Sequence, residues 1–139
     1  MYGSLDISTS GMIASRTWLT AISANLANRN SINEDGTPYR ARLVQFASGN
    51  PDALSPAGRE GGVHVSSIIE SDAPFNMRFD PGDPRAIKSG PNTGYVLESN
   101  VNPVIEQINA VQASRAYEAN LAAAEATKTM FAQALRLIA

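Results

Sequence analysis

Apolar side chains recur every seven residues near the N-terminus of the chain. The repeat consists of Leu5, Met12, Leu19 and Leu26, with Ile22 as an additional position. A seven-residue apolar repeat is typical of the narrow contact seam of a coiled coil. It predicts a helix over residues 5–28, roughly 36 Å long at about 1.5 Å per residue. Before residue 29 the only charged side chains are Asp6 and Arg16, so the other face lacks the Glu and Lys typical of a solvated helix.

A second helical pattern fills the C-terminal end. Residues 104–138 contain neither Gly nor Pro, which predicts one helix over 103–138, roughly 54 Å long at about 1.5 Å per residue. Pro103 suits the first helical turn, where its missing N–H is not needed. Three side chains are candidates for the N-cap of this helix: Ser99, Asn100 or Asn102.

The apolar residues of the C-terminal helix fall into two registers. The first register contains Val104, Ile108 and Val111. The second register begins at Tyr117 and continues through Leu121, Phe131 and Leu135. The change of phase near residues 115–118 predicts a stutter in the contact seam.

The middle of the chain is rich in turn-forming residues. Residues 29–97 hold eight of the ten glycines and seven of the eight prolines, which predicts a turn-rich region between the helices. Within it, the segments 39–46, 63–70 and 75–80 have strand-like patterns, and we expect them to form a small antiparallel β element. Residues 47–62 have the composition of a mobile loop.

These patterns predict a mainly α fold. The N- and C-terminal helices are expected to pair as an α-helical coiled coil, with a small β-containing region between them in the chain. The expected domains are 1–30 and 98–139, which hold the two helices, and the middle region 31–97. One antiparallel coiled coil buries only one stripe of each helix. The surplus uncharged surface favours a structural protein that assembles with copies of itself or with other proteins, and whose ends become ordered on assembly.

Composition excludes several classes of function. The formal net charge is −2 and only 17% of residues are charged, and the basic residues form no run or stripe, so a nucleic-acid partner is not expected. No apolar run is long enough to insert into a membrane. The N-terminus lacks the basic and continuous apolar regions of a secretory signal peptide, so export would need another route. The absence of cysteine rules out disulfides and thiolate metal sites.

Candidate chemistry is sparse. His64 is the only histidine, and its position in a strand-like pattern favours a residue on a strand face. The acidic residues around 70–83 lack the alternating ligand spacing of a calcium loop, and a turn with solvated carboxylates is the better interpretation. We therefore expect no catalytic residue, no cofactor and no metal, and the chain is not expected to be an enzyme.

Both ends of the chain resemble one protein family. The segments SGMIA at 10–14 and LTAISANLANRNS at 19–31 are similar to the N-terminal motif of the bacterial flagellar axial proteins, the rod and hook family. The segment from Ser99 to Leu135, with its V-N-x-V-x-E opening and S-R-A-Y-E-A-N core, is similar to the C-terminal segment of that family. The middle segments DGTPYRAR, GGVHVSSIIES and PFNMRFDPGDPRA resemble its rod proteins.

The resemblance implies a structural subunit of the flagellar basal-body rod, in which terminal helices line a torque-transmitting tube. The implied partners are other proximal rod proteins, the adaptor between the rod and the membrane ring, and copies of the chain itself. It also implies transit through the flagellar type III export apparatus and a location in the rod within the periplasmic space. The motif residues expected to serve assembly are Asn25, Leu26, Ala27, Asn28, Asn100, Val101, Arg115, Tyr117, Glu118 and Asn120.

Some of these residues carry finer expectations. We expect Asn25 to offer its amide to the backbone of a neighbouring chain, and Asn28 or Asn30 to end the helix in the left-handed conformation. Arg115 and Glu118 are placed either to pair within the helix or to reach neighbouring subunits. Two other functions stay open: a periplasmic hydrolase that uses His64, and a needle-like or filament-capping helical protein.

Overall fold

The computed structural model describes residues 2–138, with side chains from residue 3 to residue 137. Two long helices at the ends of the chain enclose two small antiparallel sheets and one short helix. In chain order the elements are α1 (Tyr2–Asn28), β1 (Arg42–Ser48), α2 (Pro56–Gly61), β2 (Val63–Glu70), β3 (Asn76–Phe79), β4 (Tyr95–Glu98) and α3 (Pro103–Ile138).

The ends of the long helices follow from local chemistry. The predicted helices are confirmed, with α1 beginning three residues earlier than expected. Asn102 is the N-cap of α3, because its Oδ1 accepts from the backbone N–H of Val104 at 3.0 Å and of Ile105 at 3.4 Å. The left-handed ending proposed for Asn28 or Asn30 is wrong, since no residue other than glycine has a positive φ within the described chain. Instead, the Asn28 side chain bonds back to the carbonyl of Ala24 at 2.9 Å.

Helices α1 and α3 pack against each other in antiparallel orientation. Asn25 contacts Glu106 at one end of the pair, and Gly11 lies against Asn120 toward the other end. A Cβ at Gly11 would lie 2.6–2.7 Å from the Asn120 side chain, so the close approach requires glycine there. The buried residues of α1 are mostly small or polar: Ser8, Ser10, Gly11, Ala14, Ser15, Ala21, Ile22 and Asn25.

The predicted apolar seams do not form this contact. Of the N-terminal repeat, Leu5, Met12, Leu19 and Leu26 are only partly buried, and Ile22 alone is fully buried. In α3 the first register is largely exposed, with Val104 at 63%, Ile108 at 53% and Val111 at 52%. Coiled-coil pairing through these rows is therefore not confirmed for the single chain, in which most of the fully buried positions of α1 hold small or polar side chains.

The least exposed side of α3 keeps one phase along its length. Glu106 and Ala113 are buried, and Asn120, Thr127 and Ala134 follow at seven-residue steps with partial burial. The stutter expected near residues 115–118 is thus absent from the side that faces α1. The change of phase near residues 115–118 is found only among the more exposed apolar residues of α3.

The middle region contains two separate two-stranded sheets rather than one β element. Strand β1 pairs with β2, and a register shift between Gln45 and Phe46 marks a bulge. Strand β3 pairs with β4, a strand that the sequence patterns did not predict. Phe79 of β3 packs edge to face on Tyr95 of β4, with ring centroids 5.2 Å apart.

The segment predicted to be a mobile loop has a defined structure. Ser55 is the N-cap of α2, since its hydroxyl accepts from the backbone N–H of Gly58 at 3.0 Å. The same hydroxyl donates to the Asp6 carboxylate of α1 at 2.5 Å. Nearby, the Ser10 hydroxyl accepts from the backbone N–H of Val63 at 3.0 Å. The short helix α2 is therefore held against the start of α1 by hydrogen bonds. The prediction that residues 47–62 form a mobile loop is wrong.

Candidate functional site

Asn25 lies at the junction of α1, α3 and the start of β1. Its side chain is 1% exposed and takes part in four hydrogen bonds. The amide nitrogen donates to the Arg42 carbonyl at 2.9 Å and to Glu106 Oε1 at 3.2 Å. The amide oxygen accepts from the Tyr39 hydroxyl at 3.1 Å and from the Arg42 N–H at 2.8 Å. Both donors and both acceptor positions of the amide are thereby used.

This geometry corrects the expected role of Asn25. Because its amide is saturated inside the chain, it has no hydrogen-bonding capacity left for the backbone of a neighbouring chain. Instead it fixes the segment that leads into β1 against both helices. We call Asn25, Tyr39, Arg42 and Glu106 the Asn25 node.

Asn100 also forms hydrogen bonds to the segment that leads into β1. Its Oδ1 accepts from the backbone N–H of Ala41 at 2.8 Å. Its amide nitrogen donates to the carbonyls of Ser71 at 3.3 Å and Ala73 at 3.0 Å. The chain between Tyr39 and Arg42 is therefore held from two directions, by one asparagine from each end of the sequence.

The other motif residues have different surroundings. Val101 is buried with Tyr39 and Ala41 in a small apolar core. Asn120 donates to the carbonyl of Ala116 in its own helix at 2.8 Å. The remaining motif residues are partly or fully exposed: Leu26, Ala27, Arg115, Tyr117 and Glu118. Among residues 2–138, the ion pairs do not include one between Arg115 and Glu118, so the intrahelical pairing is not formed.

Glu106 is a residue of the node to which the sequence patterns gave no role. It is 7% exposed, and burial raises the pKa of its carboxyl, opposed by the hydrogen bond from Asn25. Burial likewise raises the pKa of the Tyr39 hydroxyl. The one sequence feature that could have identified Glu106 is its position as an acidic residue within the mostly apolar segment PVIEQI. The side chains that it would meet, Asn25 and Tyr39, are far away in sequence, and the pattern alone did not bring them together.

The candidate catalytic residues do not form a reactive site. His64 lies on β2, as predicted, and its Nδ1 is 2.8 Å from the carbonyl oxygen of Gly49. Ser10 of α1 lines the same recess as His64, and its hydroxyl donates to the carbonyl of Ile7 at 2.7 Å. The serine hydroxyl therefore does not donate to the histidine, as a nucleophile would donate to its base.

The acidic residues of the β3–β4 region are engaged by arginines. Arg78 contacts Asp80 at 2.7 Å and Glu98 at 2.6 Å, and Arg85 contacts Asp83 at 2.9 Å. The hydrogen bond from Arg85 lowers the pKa of the Asp83 carboxyl. Within residues 2–138 no three acidic, histidine or cysteine side chains are grouped as a metal site would need. No helix in that range has the length and hydropathy to cross a bilayer.

Large apolar side chains are exposed along much of α3. Besides the first register, Tyr117 is 37%, Leu121 40% and Leu135 66% exposed, whereas Phe131 is partly buried. In an antiparallel pair with Gly11 opposite Asn120, the start of α1 lies opposite residues near 129. The last turns of α3 therefore extend past the start of α1.

Comparison with known proteins gives a consistent result. Residues 92–137 match the profile of the family described as flagellar basal body rod FlgEFG protein C-terminal. Three relatives carry the name flagellar basal-body rod protein FlgC. The relative from Borreliella burgdorferi is 36% identical, with 99% of this chain and 97% of the relative covered. The relative from Bacillus subtilis is 37% identical, with 98% and 97% covered, and that from Salmonella typhimurium is 40% identical, with 95% and 93% covered.

These similarities extend over nearly the whole of each protein, including the middle region. They confirm the resemblance to rod proteins and favour a structural role over the hydrolase and the needle-like alternatives. The chain belongs to the FlgC family of flagellar basal-body rod proteins, and it is a structural subunit of the bacterial flagellar basal body.

Proposed function

We propose that this subunit packs through its terminal helices into a tubular drive shaft that transmits torque. In this proposal the segments 1–30 and 98–139 form the helical wall of the tube, and residues 31–97 form an outer region. The partly buried apolar row of α1 and the exposed apolar row of α3 then make coiled-coil contacts between subunits. The observation that carries the proposal is the surface of the single chain.

The chain exposes far more surface than a compact monomer. Its accessible surface is 9355 Å², whereas a compact protein of 14.7 kDa exposes roughly 6,900 Å². The difference of roughly 2,400 Å² is comparable to what a subunit loses in a stable interface. Large apolar side chains contribute to it, since Val104, Ile108 and Leu135 are each more than half exposed.

The distribution of small and large side chains on the two long helices supports the same proposal. Within the chain, the buried residues of α1 are mostly Gly, Ala, Ser and Asn, whereas the larger aliphatic residues Val104, Ile108 and Leu135 of α3 are largely exposed. In a monomeric protein the arrangement would be reversed, because burial of large aliphatic side chains is the main driving force of folding. Interfaces between subunits account for the aliphatic rows.

Family membership supports contacts with other rod components. We infer that the direct partners are the other proximal rod proteins, the adaptor that joins the rod to the membrane ring, and further copies of the chain. We also infer export through the flagellar type III apparatus and a final location in the rod within the periplasmic space. These inferences follow from the family, and localisation of a tagged chain in purified basal bodies tests them.

The aliphatic row can be tested with a single substitution. Ile108→Ser removes an exposed aliphatic side chain from α3, and it should leave the unfolding of the isolated chain unchanged. In a strain that lacks the native protein it should reduce motility and the yield of basal bodies, because a central interface residue contributes about 1–2 kcal/mol or more. Leu54→Ser is the matched control, since Leu54 is 92% exposed but lies outside the helices. Normal basal bodies with Ile108→Ser would contradict the proposal.

His64→Ala separates the structural role from the hydrolase. The His64 ring contacts a backbone carbonyl and no reactive hydroxyl, so we expect its loss to leave motility and basal-body assembly close to normal. Assembly that stays normal while a cell-wall-cleaving activity of the purified chain disappears would support the hydrolase instead.

A further inference from the structure

A cavity opens between α1, β1 and α3, beside the Asn25 node. Its volume is about 220 Å³, and its walls include Trp18, Ile22, Val44, Phe46 and Asn109, with Glu106 of α3 among them. This volume is below the range of roughly 300–1,000 Å³ that is typical of small-molecule pockets. The cavity is therefore of a size to hold a single side chain.

Two aromatic rings form one wall of this cavity. Trp18 of α1 and Phe46 of β1 meet edge to face, with centroids 5.6 Å apart and an angle of 80° between the rings. Phe46 is 44% exposed and Trp18 is partly buried, so both rings retain free surface. Ile22 and Val44 extend the apolar wall. Apolar stems and cations both find favourable contacts on such rings.

The Glu106 carboxylate is the one acidic group of the cavity, and it is only half satisfied. Among residues 2–138, its single hydrogen-bond donor is Asn25, at Oε1. No fully buried side-chain oxygen in that range lacks a partner, so the second oxygen, Oε2, is not fully buried. Glu106 is one of the residues that line the cavity. Glu106 itself is 7% exposed.

Arg42, the basic residue of the cavity, does not neutralise the Glu106 carboxylate. Arg42 also lines the cavity, but its guanidinium lies over the Tyr39 ring, 5.9 Å from the centroid. Arg42 and Glu106 are not among the ion pairs within 4.0 Å of the described residues. A buried carboxylate without a cation is costly, and an external cation would lower that cost.

The chemistry of the walls defines the ligand. A group that is apolar along its stem and cationic at its tip would contact the rings and the carboxylate together, which is the build of lysine and arginine side chains. A metal ion is a poor fit, because the described residues offer no cluster of ligands here. We propose that this cavity receives an arginine or lysine side chain of a neighbouring rod subunit, with the cation on Glu106 and the stem against Trp18 and Phe46. This proposal rests on the proposed function for the source of the side chain.

The cavity can be tested on the isolated full-length chain without assembly. Trp18 is the only tryptophan, so its fluorescence reports on the cavity. We expect n-butylguanidinium to change it saturably, with a dissociation constant on the order of 1–10 mM. Glu106→Gln keeps an acceptor for Asn25 and removes the charge, and it should weaken this binding about tenfold. The uncharged analogue n-butylurea should bind the wild-type chain no better than it binds the variant.

Controls make the outcome decisive. Glu125→Gln removes an exposed carboxylate of the same helix and should leave the binding of n-butylguanidinium unchanged. Circular dichroism of each variant verifies that the helices are intact. If n-butylurea and n-butylguanidinium bind equally well, or if Glu106→Gln binds as tightly as the wild type, the carboxylate does not recognise a cation and the proposal is wrong.

A second experiment addresses the source of the side chain. In cells that carry only the variant, Glu106→Gln should lower the yield of basal bodies while Glu125→Gln should not. If Glu106→Gln binds weakly in the titration but assembles normally, the neighbouring side chain is not the ligand and the proposal is overturned. Failure of the proposed function would be seen separately, as normal assembly with Ile108→Ser.

Discussion

Removal of the Asn25 amide should destabilise the isolated chain, although Asn25 was expected from the sequence to serve contacts between chains. In Asn25→Ala, four hydrogen bonds are lost at once. The Arg42 N–H and carbonyl, the Tyr39 hydroxyl and the Glu106 carboxylate each lose a partner. The site is too buried for water to replace them all, since Asn25 is 1% exposed.

The size of the effect follows from these groups. A hydrogen bond contributes about 0.5–1.5 kcal/mol net, and a buried polar group left without a partner costs about 1–3 kcal/mol. Arg42 is an exposed residue and its backbone hydrogen bonds to Asn25 are only partly buried. Water can therefore replace part of what is lost, and the largest sum of these costs is not reached. We expect a loss of about 3 kcal/mol, which lowers the melting temperature of a chain of this length by about 10 °C.

Urea unfolding followed by circular dichroism measures this loss. Asn28→Ala is the matched control, because Asn28 is a partly buried asparagine of the same helix. Its amide donates to the Ala24 carbonyl one turn away and accepts from the exposed Ser31 hydroxyl at 3.3 Å. The control should lose less than about 1 kcal/mol. If Asn25→Ala and Asn28→Ala unfold at the same urea concentration, the hydrogen bonds of the node do not stabilise the chain and the reasoning fails.

Two further substitutions test the packing of the helices. Glu106→Gln should stabilise the isolated chain at neutral pH. Burial raises the pKa of the Glu106 carboxyl above its ordinary value of 4.5. The wild-type chain therefore loses stability as the pH rises through this raised pKa, whereas Glu106→Gln does not. Its deficit relative to Glu106→Gln should vanish as pH falls below 4.5, and a gap that is constant from pH 4 to pH 8 would contradict this. Gly11→Ala should destabilise by about 1–3 kcal/mol, because the new Cβ would lie 2.6–2.7 Å from the Asn120 side chain. The double variant with Asn120→Ala should recover most of the loss in thermal unfolding, and no recovery would show that the contact is not the cause.

The sequence predicted the elements that depend on neighbouring residues. The extent of α3 followed from Pro103 and the absence of glycine after it, and β2 was predicted with both of its ends. Strand β4 was missed because YVLE is short and its partner β3 lies sixteen residues earlier. The short helix α2 was missed because the segment is rich in Gly and Pro. Its docking depends on a bond between Ser55 and Asp6, which are 49 residues apart.

The candidate site was predicted only as a set of motif residues. Asn25 and Asn100 were identified from their family motifs, but neither their partners nor the direction of their amides could be read from the sequence. Tyr39 and Arg42, from the segment that leads into β1, and Glu106, from α3, complete the node. Their meeting depends on the antiparallel packing of α1 on α3, which is set by Gly11 and other small residues and not by the leucine repeat on which the prediction relied.

The use of small residues between α1 and α3 also explains why the apolar rows were assigned from the sequence to the contact within the chain. Periodicity shows that a helix has an apolar side, but it does not show whether that side meets its own chain or another one. Here small side chains let α1 and α3 approach closely, and polar groups of the Asn25 node fix their register, as buried polar groups do in other helical assemblies. The large aliphatic residues stay outside this contact, where Ile108 is 53% and Leu135 is 66% exposed. Under the proposed function, the directional hydrogen bonds of the node specify the conformation of the chain and the exposed apolar surface contacts its neighbours, so substitutions at the node and along the rows should separate folding from assembly.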